Sequence, residues 1–247
     1  MADHKRLNII ARYNEDLDWV KNLNGDVLVY NKGENYRWDY KKIDAENYGR
    51  ESETYVRAII EHYDILDQYY DVVFLQGHPF DHAPELYENL RYSTEEFLPL
   101  CSYFATHVLP NDNYVFDTHK FVIDILCRQS QVDHGTELTP LVSDFSYPME
   151  HGDGRVIEKS CELKQLLYVM QIMGLPSKNV KLDWTCGAMY TVNSKLLKQK
   201  SLSWWKNFHE LIRYWYVDIN NHDLGYILER LWPVVWKHAD NFGGWKF

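Results

Sequence analysis

Residues 11–16, Ala-Arg-Tyr-Asn-Glu-Asp, place several polar chemistries side by side directly after a short apolar run. Arg12 can pair bidentately with a phosphate or carboxylate, Tyr13 can stack a base, and Asn14 can read an amide edge, with Glu15 beside them. The same turn would also serve as a helix cap through Asn14 or Asp16. A second polar turn, Val29-Tyr-Asn-Lys-Gly33, offers Asn31 and Lys32 ahead of a glycine suited to a tight turn. A third, Gly49-Arg-Glu-Ser52, stands at an expected helix start. Free N–H groups there attract anions and Arg50 adds a full charge, although capping and a surface ion pair would use the same residues.

Gln76-Gly-His-Pro-Phe-Asp-His82 carries three potential metal ligands, His78, Asp81 and His82. A histidine–carboxylate set suits Mn²⁺, Zn²⁺ or Fe²⁺, whereas all-oxygen ligation favours Mg²⁺ or Ca²⁺. Asp183-Trp-Thr-Cys-Gly-Ala-Met189 sets small residues beside a tryptophan, so a substrate could approach backbone at Gly187 while the Trp184 indole packs on it. In the stretch from Gly225 to Pro233, Glu229 sits off the leucine stripe and next to Arg230, either as a solvated partner of that arginine or free for chemistry.

The elements that must position these residues are legible from periodicity. Leu7 to Ala11 and Asp71 to Leu75 are continuous apolar runs, the pattern of buried parallel strands, and Asp26 to Tyr30 reads as another strand after the Asn24-Gly25 turn. Asp16 to Leu23 has room for about two helical turns. Glu51 to Leu66 carries apolar residues on one helix face, so the order strand–helix–strand marks a βαβ unit whose C-terminal loops are free to bind ligands. Ser93-Thr-Glu-Glu96 is a candidate capping box opening a further helix. Residues 111–155 lose periodicity and read as a loop-rich insertion or a lid. Lys159 to Met173 reads as a helix, Trp184 to Val192 as one strand, and the last stretch as helix, with Leu224, Leu228, Leu231 and Val235 on one stripe. Pro233 is expected to interrupt or restart that helix.

Composition narrows the function classes. The chain has 247 residues, 45% hydrophobic, without repeat or linker, so one domain over residues 1–247 is the simplest organisation. A net charge of −10 argues against general nucleic-acid binding, while a diphosphate remains compatible if local cations neutralise it. The 19 Tyr, 10 Phe and 9 Trp would suit either wet clefts and sugar faces or a bulky core. Four cysteines without a CxxC pair suit free thiols in a reducing compartment. No apolar stretch approaches a membrane span and the start lacks a signal-type apolar region, so a cytoplasmic location is expected.

Taken together, ARYNEDLDWV, VLVYNKG, GRESETYV, VFLQGHPFDH, WTCGAMYTV and LERLWPVVW resemble a domain-of-unknown-function family of fungi and large DNA viruses. The order of elements also resembles the GT-A glycosyltransferases. That resemblance implies a single α/β domain with a mixed, mostly parallel sheet flanked by helices, and a nucleotide-sugar donor. It further implies a nucleotide site at Arg12, Tyr13, Asn14, Glu15, Asn31, Lys32 and Arg50, and a glycan or other hydroxyl acceptor at Asp183, Trp184 and Gly187. Glu229 falls where the catalytic base of an inverting transfer would stand, and His78 and Asp81 fall where a divalent cation, Mn²⁺ or Mg²⁺, would be held. The chain departs from the pattern in having no Asp-X-Asp after the third strand. Two other readings use the same residues. A metal-dependent hydrolase would combine His78, Asp81 and His82 with Asp117 and His119, and a non-catalytic carbohydrate- or nucleotide-binding protein would use the aromatics alone.

Overall fold

The computed structural model describes residues 5–35, 40–92, 96–101, 104–108, 148–150, 156–158, 166, 169–175, 181–185, 187–218 and 224–238. The sheet is built from β1 (Arg6–Arg12), β2 (Asp26–Asn31), β3 (Lys41–Asp44), β4 (Asp71–Gln76), β5 (Phe97–Pro99) and β10 (Tyr190–Asn193). Their spatial order is β3-β2-β1-β4-β10-β5. β1 lies inside the sheet, parallel to β2 on one side and β4 on the other. β3 extends the parallel half, whereas β10 runs antiparallel to both β4 and β5. The protein is therefore α/β with a mixed sheet. Two small antiparallel pairs accompany it: β6 (Phe104–Val108) with β9 (Lys181–Thr185), and β7 (Pro148–Glu150) with β8 (Val156–Glu158).

Alternation along the strands feeds two cores. Leu7, Ile9, Val72 and Phe74 point to the face covered by α1 (Arg50–His62), α3 (Ser194–Gln199), α4 (Leu202–Arg213) and α5 (Leu224–Lys237). Ile10, Val29, Val73 and Leu75 point to the other face, packed by Leu17, by Val20 from the 3₁₀ turn that follows it (Asp18–Asn22) and by Leu86 of α2 (Leu86–Asn89). The helical face takes up much of the aromatic content. The Trp232 and Trp236 rings stack at 4.6 Å, and Trp236 stacks on Phe74 at 5.5 Å. Burial of such rings is a large apolar contribution, so the bulky-core use of these aromatics dominates. Tyr13, Tyr87, Tyr92 and Tyr226 are exceptions that stay exposed.

Four expectations from periodicity are corrected. The 16–23 segment forms only a five-residue 3₁₀ turn, because Asp16 bonds the Asp18 N–H at 2.8 Å and turns the chain locally. α1 ends at His62 and passes into a 3₁₀ helix, Tyr63–Gln68. The chain after Glu96 is strand, not helix, since β5 pairs with β10; Ser93, Thr94 and Glu95 lie outside the described residues. The expected strand over 184–192 is two strands in different sheets, separated by Gly187 (φ 97°) and Ala188 (φ 48°), a left-handed pair that cannot continue a strand.

α5 buries Leu224, Leu228, Leu231 and Val235 as the stripe implies, but it runs through Pro233 without a break. Proline has no N–H to offer the carbonyl four residues earlier, which is that of Glu229. Most of the 111–155 segment, and residues 159–165 and 167–168 of the expected helix, lie outside the described residues. None of the described helices is long and apolar enough to cross a membrane.

Candidate active site at the C-terminal edge of the sheet

An open α/β sheet binds ligands beyond the C-terminal ends of its strands, at the point where the strand order reverses. Here the chain builds outward from β1 to β2 and β3, then crosses back to place β4 on the opposite side of β1. The loops after β1 and β4 therefore bound the switch point. They are in contact there: the Trp19 indole donates to the Gly77 carbonyl at 2.9 Å, and the Glu15 carboxylate lies against the Gly77 α-carbon where no β-carbon would fit.

Several of the polar residues picked out by type turn out to hold these loops in place. The Arg12 guanidinium is buried and donates to the carbonyls of Tyr13 (3.1 Å), Glu15 (2.9 Å) and Glu34 (2.9 Å), and to the Asn31 side chain. Asn31 in turn donates to the Gly33 carbonyl at 2.9 Å, and Asn14 accepts the Glu34 N–H at 2.8 Å. The loops after β1 and β2 are thus knit into one body, with Arg12 as the clamp. Lys32 is buried as well. Its ammonium meets Glu53 at 2.7 Å and the carbonyls of Tyr48 and Arg50 at 2.6 Å each, beneath the start of α1.

Burial lowers the Lys32 pKa, partly opposed by the Glu53 charge. Burial pushes the Glu53 carboxyl up, but the His209 hydrogen bond (3.1 Å) and Lys32 outweigh it and hold it below its usual range. Of the nucleotide-site candidates, Tyr13, Asn14 and Arg50 present themselves to solvent.

Arg50 opens α1 in an unusual backbone state. Gly49 (φ 65°) and Arg50 (φ 50°) are both left-handed, and for arginine this costs on the order of 1–3 kcal/mol. Its guanidinium lies 4.7 Å from the centre of the Tyr226 ring on α5. Glycine at 225 leaves room for it, since a β-carbon there would meet the Tyr216 hydroxyl at 2.6 Å and Arg50 Cδ at 2.8 Å and push one of these side chains aside. The second strained pair, Gly187-Ala188, sits at the entry to β10. The Gly187 N–H donates to a Glu229 carboxylate oxygen, and a β-carbon at 187 would meet the His82 side chain at 2.9 Å. One arc of the sheet edge therefore carries the β4 loop, the 187–188 turn, Glu229 and the start of α1.

Sequence reasoning passed over Glu51 and Tyr226. Glu51 lies, half-buried, in the first turn of α1. Burial pushes its pKa up to about 7; the charge of Glu229 adds to this, while its own backbone N–H, Arg50 and Lys32 oppose it. A carboxyl that titrates near neutrality suits proton transfer. The available signal was its place directly after Gly49-Arg50, a strained helix start.

His78 and Asp81 face one another at 3.4 Å on the exposed β4 loop, with side chains 56% and 75% exposed. His82 is turned toward Gly187. Among the described residues no three His, Cys, Asp or Glu side chains gather as a metal site. Two protein donors suit a cation whose remaining ligands are phosphate oxygens and water, rather than a metal held by protein alone. Asp183 and Trp184 lie on β9, in register with Thr106 and Ala105, and their side chains lie outside the described residues, as do Asp117 and His119 entirely.

The model of a family described as protein of unknown function (DUF3431) matches residues 9–243. No curated protein and no solved structure matches the chain.

Proposed function

The chain belongs to the DUF3431 family, and from the geometry of its sheet edge we propose that it is a glycosyltransferase that moves a sugar from a nucleotide-sugar donor to a hydroxyl acceptor. One observation carries this reading. The loops that bound the β1–β4 switch point and a carboxylate aimed by a backbone N–H, that of Glu229, lie on the same edge of the sheet. A donor site and a base on one edge are what a displacement at a sugar carbon requires. A fold of the GT-A kind would place the nucleotide over the loops after β1 and β2.

In this scheme Tyr13 stacks on the base, and Arg12, Asn14 and Asn31 act by holding the loops, with Glu15 at their floor. Arg50 meets the diphosphate from its stack on Tyr226, while Lys32 keeps the loop before α1 in register. The acceptor lies along the turn at Gly187, continuing toward Asp183 and Trp184. As the acceptor oxygen attacks the anomeric carbon, its proton passes to the Glu229 carboxylate. The new C–O bond forms while the bond from that carbon to the diphosphate oxygen breaks, its electron pair leaving with the diphosphate. Attack opposite the leaving group inverts the sugar carbon. His78 and Asp81 would hold a Mn²⁺ or Mg²⁺ ion shared with the donor. Such an ion, when bound, neutralises charge on the leaving diphosphate.

A thermal-shift series with uridine and guanosine diphosphates, with and without Mn²⁺, tests the reading. A ligand at a hundred times its dissociation constant adds about 2.7 kcal/mol, roughly 5–11 °C in midpoint for a chain of this size. Absence of any shift would remove the transferase. A shift without turnover of any nucleotide sugar would leave a binding protein.

A further inference from the structure

A cavity of about 320 Å³ lies where β1 and β2 begin, between the chain that enters β2 and the end of α2. It is separate from the candidate active site, since β1 runs from Arg6 in this cavity to Arg12 at the switch point, roughly 20 Å away at about 3.3 Å per residue. One of its lining residues is Asn8, a polar side chain buried on β1. The Asn8 side-chain N–H groups donate to the carbonyls of Asn24 (2.9 Å) and Asp26 (3.1 Å). Those two bonds fix which end of the amide is oxygen. Among the described residues that oxygen, Oδ1, has no donor. A buried acceptor without a donor is costly and calls for a specific reason.

The walls of the cavity are held by bonds that do not use this oxygen. Arg6 pairs with Asp71 at 3.0 Å and donates to the carbonyls of Leu90 and Tyr92, which ties the chain after α2 to the start of β1. The Tyr87 hydroxyl donates to the Trp19 carbonyl at 2.9 Å and takes an Asn22 side-chain N–H at 3.3 Å, which ties α2 to the 3₁₀ turn. Leu23 and Leu90 are half-buried beside them, and the Tyr87 ring stays exposed. Walls bonded in advance lose little freedom when a ligand enters.

Charge decides the class of ligand. Arg6 is matched by Asp71, and Arg91 at the rim by Glu88 at 2.9 Å. The cavity therefore offers no surplus positive charge to an anion. Its lining offers instead a buried acceptor, exposed amides at Asn22 and Asn24, and apolar surface on Leu23, Leu90 and the Tyr87 ring. A ligand that matches this set carries hydroxyls, which both donate and accept, on a ring with apolar C–H faces. We propose that the cavity binds a neutral sugar, one hydroxyl donating to Asn8 Oδ1 while the sugar ring lies against Tyr87. The inference goes beyond the proposed transferase and holds without it, because no residue assigned to the donor or acceptor lines this cavity.

The test uses the full chain and needs no turnover. Glucose, galactose, mannose and N-acetylglucosamine are titrated singly into nitrogen-15-labelled protein, and amide signals are followed by nuclear magnetic resonance. At least one sugar is expected to shift the Asn8 side-chain amide and the backbone amides of Leu23 and Leu90 in a saturable way. Asn8→Leu removes the acceptor and should abolish that response. Tyr87→Ala, at an exposed position, removes the ring and should weaken binding about fivefold or more. If Asn8→Leu does not fold, Tyr87→Ala decides the question. No saturable shift with any of the four sugars would overturn the proposal, as would binding that is equally tight in Tyr87→Ala. Shifts confined to Gly187 and its neighbours would place the sugar at the acceptor turn and count against this cavity. Inorganic phosphate, titrated in parallel, should leave the cavity signals unmoved; saturable phosphate binding there in place of sugar would make it an anion site and end the proposal.

Discussion

The backbone N–H of Gly187 donates to the carboxylate of Glu229, joining the turn that enters β10 to the second turn of α5. A carboxylate held in this way has one oxygen oriented by the protein and the other free to accept a proton from a bound hydroxyl. Replacement by glutamine keeps the size and the ability to accept the Gly187 N–H while abolishing basicity. Glu229→Gln is therefore expected to bind nucleoside diphosphate normally and to lose turnover by about 10²-fold or more. Steady-state rates beside a binding isotherm check this. Unchanged specific activity with lowered stability would make Glu229 a structural anchor for the turn.

Lys32 gives a prediction of the opposite kind. Its ammonium is buried against Glu53 and two carbonyls, so it belongs to the scaffold beneath α1. Removing one partner of a buried pair strands the other charge, and Lys32→Met is expected to cost about 3–5 kcal/mol by chemical denaturation. Retained stability with lost nucleotide binding would instead place Lys32 on the ligand.

The metal assignment turns on two exposed side chains. If His78 and Asp81 share a cation with the donor, Mn²⁺ should enlarge the stabilisation by nucleoside diphosphate, and Asp81→Ala should remove that increment while leaving the metal-free shift intact. Since both side chains are largely solvent-exposed, the variant should fold with nearly unchanged stability, within about 0.5 kcal/mol. A thermal-shift comparison of the two proteins reads both effects. An equal Mn²⁺ increment in both would take Asp81 out of the site.

Glu51 predicts a pH dependence of stability. Its folded pKa, about 7, lies above the ordinary 4.5, so the folded state binds this proton more tightly than the unfolded chain does. The stabilisation is complete below about pH 4.5 and is lost as pH rises through about 7. Glu53 works the other way: its lowered pKa contributes stability above the usual carboxylate range that is lost as pH falls. Between about pH 5 and pH 8 the Glu51 contribution should make the wild type lose stability relative to Glu51→Gln. Denaturation midpoints of the two proteins at those pH values check the sign. A gap that stays constant, or runs in the reverse direction, would contradict it.

Much of the architecture could be read from local pattern. The apolar runs at 7–11 and 71–75 became β1 and β4, the 51–66 periodicity became α1 with a 3₁₀ extension, and the leucine stripe of α5 is buried as its spacing implies. Side-chain alternation and helical periodicity are local properties, and burial of one face is enough to select them. Local pattern also drew attention to the segments that meet at the sheet edge, because glycines and mixed polar residues after an apolar run mark turns at strand ends.

Local pattern could not assign the duties of the residues within those segments. Arg12 and Lys32 have the chemistry of ligand contacts, yet both are buried, and their hydrogen bonds go to carbonyls and side chains from other loops. Strand order decides which loops become neighbours, and that order depends on β1 lying between β2 and β4. The break at Gly187-Ala188 likewise exists because the chain must leave one sheet and enter another in the opposite direction. Gly187 and Glu229 are far apart in sequence, and Glu229 alone looks like a solvated helix carboxylate. Their hydrogen bond exists only because the turn into β10 is brought against α5, a contact that no local pattern encodes.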